Sequence, residues 1–116
     1  MTRVIVADDD PKIADYYFTE LFELYGVTVD VASNGRELVQ QVLDGGYDFA
    51  ITDYNMPEMN GLEAVSVIRD RGINIPILMI SASDVSKRAA ELDVHFLEKP
   101  LGPNTFYDSV EKLLGI

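Results

Sequence analysis

The sequence has no cysteine and no tryptophan, a single histidine, and nine basic residues against twenty acidic ones. Without thiols there is neither a disulfide nor a thiolate metal site. A formal charge of −11 repels nucleic-acid phosphates and anionic membrane surfaces, so direct nucleic acid binding is not expected. No apolar run approaches the roughly 20 residues that cross a bilayer, which argues against a membrane protein. Met1 to Arg3 leads at once into a short apolar stretch, without the layout of a signal peptide. A cytoplasmic location is the expectation. Linkers, repeats and low-complexity segments are also missing. A length of 116 residues, 47% hydrophobic and 25% charged, fits one soluble domain over residues 1–116.

What the chain does have is alternation of two periodicities. Val4 to Ala7, Phe49 to Thr52 and Ile77 to Ile80 are short apolar runs rich in branched residues, as in strands buried on both faces. Val27 to Val31 alternates and Val94 to Leu97 is mixed, so these read as strands nearer the sheet edges. Between them, Ile13, Tyr17, Leu21 and Leu24 share one helical face, and Leu38, Val39, Val42 and Leu43 another. Leu62, Val65 and Ile68 mark a third helix, Val110, Leu113 and Leu114 the last, and Lys87 to Leu92 can form a short one. Asp10 and Pro11 can open the first helix, Gly26 can close it, and Asn34-Gly35 and Asn60-Gly61 read as turn dipeptides. Strands alternating with helices predict an α/β fold. It is a flavodoxin-like, doubly wound, five-stranded parallel sheet of order 2-1-3-4-5, with helices on both faces. In that order a crevice opens at the carboxyl ends of strands 1 and 3.

Asp8, Asp9 and Asp10 follow strand 1, and Asp53 follows strand 3, so carboxylates from distant sequence converge on the crevice. Two carboxylates about 4 Å apart repel by about 4 kcal/mol at an effective dielectric of 20. The cluster therefore needs a cation or must hold protons, and hard oxygen ligands with room for water suit Mg²⁺, with Mn²⁺ as a substitute. Ser81 and Lys99, at the ends of strands 4 and 5, bring a hydroxyl and an ammonium to the same rim. With carboxylates and a cation they make a cradle for phosphoryl oxygens, in which an aspartate can act as nucleophile. Each piece alone has an ordinary reading: Asp10 as a helix cap, Ser81 as a strand-end serine, Lys99 as a surface lysine, and His95 as a solvent-side residue of an edge strand.

Together the pieces resemble the receiver domains of response regulators. The likeness rests on Val4-Ile5-Val6-Ala7-Asp8-Asp9-Asp10-Pro11, on Asp53-Tyr54-Asn55-Met56-Pro57-Glu58-Met59-Asn60-Gly61, on Ser81-Ala82 and on Lys99-Pro100. The resemblance implies that Asp53 is the phosphoacceptor and Asp9 a direct Mg²⁺ ligand. It also implies that Asp8 is a ligand through water and that Asn55 offers its backbone carbonyl. Ser81 would hydrogen-bond the phosphoryl group, Lys99 would pair with it, and Phe96 would occupy the aromatic switch position. Ile13 and Tyr16, with Pro100, would help dock a histidine kinase or phosphotransfer protein, and the switched domain would bind a downstream target. The Lys99-Pro100 bond would be cis.

Three other functions fit parts of the sequence: a degenerate receiver acting only in protein interaction, an aspartyl phosphatase of the haloacid-dehalogenase style, and a flavin-binding domain. The full set of Asp8, Asp9, Asp53, Ser81 and Lys99 opposes the first. Pro11 opposes the second, and the acidic crevice the third. The stretch between Ser81 and Lys99 is short for the family, Leu92-Asp93 stands where many members have Gly-Ala, and Leu101 replaces a frequent phenylalanine. The expectation is a fourth helix of about two turns, capped by Asp84, ended by Leu92 and mobile.

Overall fold

A computed structural model describes residues 2–116 of the chain. Met1, the first residue of the N-terminal reading above, lies outside them. Five strands alternate with five helices: β1 (Arg3–Ala7), α1 (Pro11–Tyr25), β2 (Thr28–Ala32), α2 (Gly35–Asp44), β3 (Phe49–Asp53), α3 (Gly61–Asp70), β4 (Ile77–Ser81), α4 (Ser86–Glu91), β5 (His95–Glu98) and α5 (Thr105–Leu114). The sheet is parallel throughout, in the expected order β2-β1-β3-β4-β5. The apolar runs are its centre: Val4, Ile5, Val6, Phe49, Ala50, Leu78 and Met79 are fully buried. Their alternate side chains feed two cores. Ile5, Ala50 and Met79 pack towards Leu38, Val65 and Ile68 of α2 and α3. Val4, Val6, Phe49 and Leu78 pack towards Leu21 of α1 and Phe106 and Val110 of α5.

Local chemistry fixes the helix ends. Asp10 Oδ1 accepts from the Lys12 amide at 2.9 Å and Pro11 occupies the first helical position. Gly26 ends α1 in the left-handed region at φ 64°, its amide donating to Phe22 O. Asn34 and Asn60 do not make free turns, as the dipeptide reading expects. Each caps a helix, accepting from Glu37 N at 2.8 Å and from Glu63 N at 2.9 Å. Glu63 returns a bond to Asn60 N, completing a capping box.

Tyrosine hydroxyls tie the elements together. Tyr25 donates to Glu111 and Tyr107 to Glu20 across the α1–α5 seam, and Tyr47 donates to Asp30 on β2. Tyr17 stacks on Phe106 with ring centroids 5.0 Å apart.

Four expectations need correction. Leu24 is 57% exposed, lining the shallow α1–α5 cleft beside Tyr25 and Tyr107 and not the core. Leu43 is also exposed, lying about 100° round the helix from the buried Val42. His95 is not on the solvent side: its ring is half-buried under α5, with Nε2 3.2 Å from Ser109 Oγ. Asp84 does not cap α4. The helix starts one residue later than expected, with Val85 at the cap position and no side-chain cap, while Asp84 Oδ1 accepts from the Ser86 amide and hydroxyl in a local turn.

The fourth helix is short, six residues with Leu92 as the C-cap, and among the six only Ala89 is buried. It is nonetheless formed. Arg69, at the end of α3, donates from Nε to Leu92 O at 2.9 Å and from Nη2 to Asp93 O at 3.0 Å, and from Nη1 to Ile73 O and Ile75 O. These bonds staple the carboxyl end of α4 and the loops before β4 and β5 to α3.

Candidate functional site

The crevice lies where β1 and β3 end. Asp8 continues the ladder beyond β1, its amide donating to Ala32 O at 3.0 Å, so its side chain is fixed by the sheet and 4% exposed. Its Oδ1 accepts from the Asp10 amide at 2.9 Å. Asp10 itself turns away to cap α1 and stays out of the cluster, as its ordinary reading required. Asp9 is exposed at the mouth and Asp53 half-buried at the end of β3. One carboxylate oxygen from each of Asp8, Asp9 and Asp53 lies within 4.8 Å of the others.

That spacing makes ionisation costly. Burial pushes the Asp8 carboxyl above its usual range, and the charges of Asp53 and Asp9 push the same way against the Asp10 amide and Lys99. Asp53 is raised for the same leading reason, with Asp9 adding to it. The Tyr54 amide, 2.7 Å from Asp53 Oδ1, Lys99 and the Asn55 amide pull it back. Three close carboxylates, two of them raised, are a donor set that a hard cation would relieve; Mg²⁺ meets that chemistry.

The remaining rim is supplied by β4 and β5. Ser81 is fully buried at the end of β4, and its Oγ accepts from the Ser83 amide at 3.1 Å, which leaves the hydroxyl proton available. Lys99 follows β5 directly, its amide donating to Ser81 O at 2.9 Å. The ammonium acts on Asp8 and Asp53 through space, without a direct ion pair among the described residues. The Lys99-Pro100 bond is cis, as expected. Asn55 is exposed in the loop after β3. Phe96 stands beside Met79 in the β4–β5 register and packs, half-buried, against the core under α4. Ile13 is half-buried, Tyr16 is 53% exposed and Pro100 is exposed.

Several supports of the site escape the sequence reading. Gly61 opens α3 against the site loop, its amide donating to Tyr54 O at 2.8 Å, and a Cβ there would collide with the Asp53 carbonyl oxygen. The Asn60-Gly61 dipeptide carried a signal for it, but as a turn. Thr52, buried, donates from its hydroxyl to Asp53 O at 2.9 Å. Tyr17 lies close enough to Asp8 and Asp53 that, after burial, their charges help push its phenol up to about 12.

Residues 4–111 match the family model described as the response regulator receiver domain. Among curated proteins, the chain is 34% identical over 102 residues to the response regulator MprA of Mycolicibacterium vanbaalenii, a match covering 84% of this chain and 44% of that protein. It is 35% identical over 82 residues to a CpxR homolog of Haemophilus influenzae, covering 71% and 35%. The chain thus spans less than half the length of these relatives. Among solved structures, it is similar to the receiver domain of the Francisella response regulator 1452, with a TM-score of 0.85 and 31% identity over 99% of this chain and 98% of that one. It is equally similar to TrrA of Thermotoga maritima, solved with Mg²⁺ and BeF, with a TM-score of 0.85 and 30% identity over 97% and 99%.

Proposed function

The chain belongs to the response-regulator receiver family, and from that premise we propose that Asp53 is its phosphoryl acceptor, charged by a histidine kinase or phosphotransfer protein. The observation that carries this is the convergence of Asp8, Asp9 and Asp53 beside Lys99 and Ser81. Asp8, Asp9 and Asp53, with the Asn55 carbonyl, would hold Mg²⁺, or Mn²⁺ in its place; the bound cation would neutralise phosphoryl oxygens. The likeness to TrrA, solved with Mg²⁺ and BeF, supports that assignment.

In transfer, an Asp53 carboxylate oxygen forms a bond to phosphorus as the donor's nitrogen–phosphorus bond breaks. In self-dephosphorylation, water attacks the phosphorus and the Asp53 carboxylate leaves. Lys99 and Ser81 contribute charge and a hydrogen bond where phosphoryl oxygens accumulate. Ser81 and Phe96 then pass the change to the β4–β5 face, which alters binding of a downstream target. Ile13 and Tyr16, on the helix that follows the Asp8–Asp10 turn, and Pro100, next to Lys99, are the proposed donor-docking residues. The reading places this domain, residues 1–116, in the cytoplasm, where such donors act.

Intact-mass measurement after treatment with acetyl phosphate and Mg²⁺ tests the acceptor. One phosphate is expected, absent in Asp53→Asn; full labelling of that variant would move the acceptor elsewhere. Alanine at Ile13 or Tyr16 should slow transfer from the donor protein while sparing acetyl phosphate. Equal slowing of both would show damage to the pocket instead. Steady turnover of a generic phosphate ester would favour a phosphatase over a switch.

A further inference from the structure

At the opposite end of the sheet, where β4 and β5 begin, a cleft of about 480 Å³ opens between the start of β4, the end of α4 and the last turn of α5. That size lies within the range of small-molecule sites. Its charge is the reverse of the molecule's. In a chain of formal charge −11 it gathers Arg69, Lys112 and the only histidine, His95, against one carboxylate, Asp93.

Neither Arg69 nor Lys112 is neutralised by a direct ion pair, since the one salt bridge among the described residues joins Arg3 and Asp30. Arg69 is half-buried, and its four hydrogen bonds all go to neutral backbone carbonyls. A guanidinium has five N–H donors, so one on Nη2 is left without a protein acceptor among the described residues. His95 meets the Ser109 hydroxyl, and burial first, with the Lys112 ammonium adding to it, holds its imidazole below the usual range. A half-buried guanidinium and an ammonium lining one cleft are stabilised by an anion placed between them, and a neutral imidazole beside them can donate to it. The rest of the wall includes Ile75, Pro76 and Leu113.

We propose that this cleft binds a small organic anion, its charged head on Lys112, His95 and the free Arg69 N–H and its apolar part on Ile75, Pro76 and Leu113. The site is separate from the carboxylate crevice, a full strand length away along β4 and β5. Carboxylates and phosphate esters share the chemistry it recognises.

Amide and imidazole NMR of the isotopically labelled full chain, titrated with benzoate, phenyl phosphate and the neutral isostere benzamide, tests it. Saturable shifts at Ile75, Ile77, Val94, His95 and Lys112 with either anion and not with benzamide are expected. The His95 imidazole should also titrate at higher pH in the anion complex. Lys112→Gln, at an exposed position, should weaken anion binding about tenfold, the effect of one charge-assisted hydrogen bond. An equal response to benzamide, shifts confined to the Asp8, Asp9 and Asp53 crevice, or unchanged affinity in Lys112→Gln would overturn the proposal.

Discussion

Asp8 and Asp53 are held above the ordinary carboxylate range by burial first and by neighbouring carboxylates second. A carboxyl whose folded pKa exceeds its unfolded value favours folding below the unfolded value, and that contribution is lost as pH rises through the folded pKa. At neutral pH, without metal, both groups therefore work against the fold. Asp53→Asn keeps an oxygen for the Tyr54 amide and removes the charge, so it should raise the melting temperature of the metal-free protein at neutral pH, with the gain vanishing below pH 3.8, the unfolded value. Thermal melts of both proteins across that pH range decide it; a lower midpoint for the variant at neutral pH would contradict the reading. Gly61→Ala should do the opposite, because its Cβ would strike the Asp53 carbonyl, at a cost of about 1–3 kcal/mol in denaturant unfolding. The convergence of Asp8, Asp9 and Asp53 was legible from sequence because the buried runs of β1 and β3 end at them; Ser81 likewise closes the buried run of β4, whereas Lys99 follows the mixed run of β5. Gly61 was half legible: the Asn-Gly pair signals a chain reversal, but a helix cap and a free turn use the same residues.

At the scale of elements, α4 shows how little of a helix need be buried if its end is well held. Its six residues bury only Ala89, yet four backbone carbonyls around its end and the neighbouring loops converge on Arg69. Arg69→Met should cost about 2–4 kcal/mol, since the orphaned carbonyls lose charge-assisted partners and only some regain water. Hydrogen exchange locates the loss. The amides of Ala89, Leu92 and Val94, which donate to Val85 O, Ala89 O and Ala89 O, should be protected in the unphosphorylated wild type and lose protection selectively in the variant. Weak protection of these amides in the wild type would instead bear out the mobile segment expected from length. Sequence could not show this staple, because Arg69 in the last turn of a helix looks like any surface arginine and its Leu92 and Asp93 partners lie more than twenty residues away. His95 was misread for a related reason: a strand's pattern shows that sides alternate, not which side a later helix will cover.

The whole molecule carries its charge imbalance into its energetics. Cation binding by the native crevice, with little affinity for the unfolded chain, should stabilise the domain by about 2.7 kcal/mol at a hundred times the dissociation constant. A melting midpoint that stays put under saturating Mg²⁺ would remove the metal from the site. The fold itself was legible because three central strands are unbroken apolar runs and their connections are long enough only for single helices. There is also an optical consequence. The chain has six tyrosines and no tryptophan; burial first and carboxylate neighbours second hold the phenols of Tyr17, Tyr25 and Tyr47 up to about 12, and a hydrogen bond with Tyr16 leads in holding Tyr107 there, against an unperturbed 10.0. Their raised values support the fold below pH 10 and cease to do so as pH climbs towards 12. Phenolate absorbance in the near ultraviolet should therefore rise together with the loss of helical circular dichroism in an alkaline titration, so the protein's own tyrosines serve as a label-free gauge of whether it is folded.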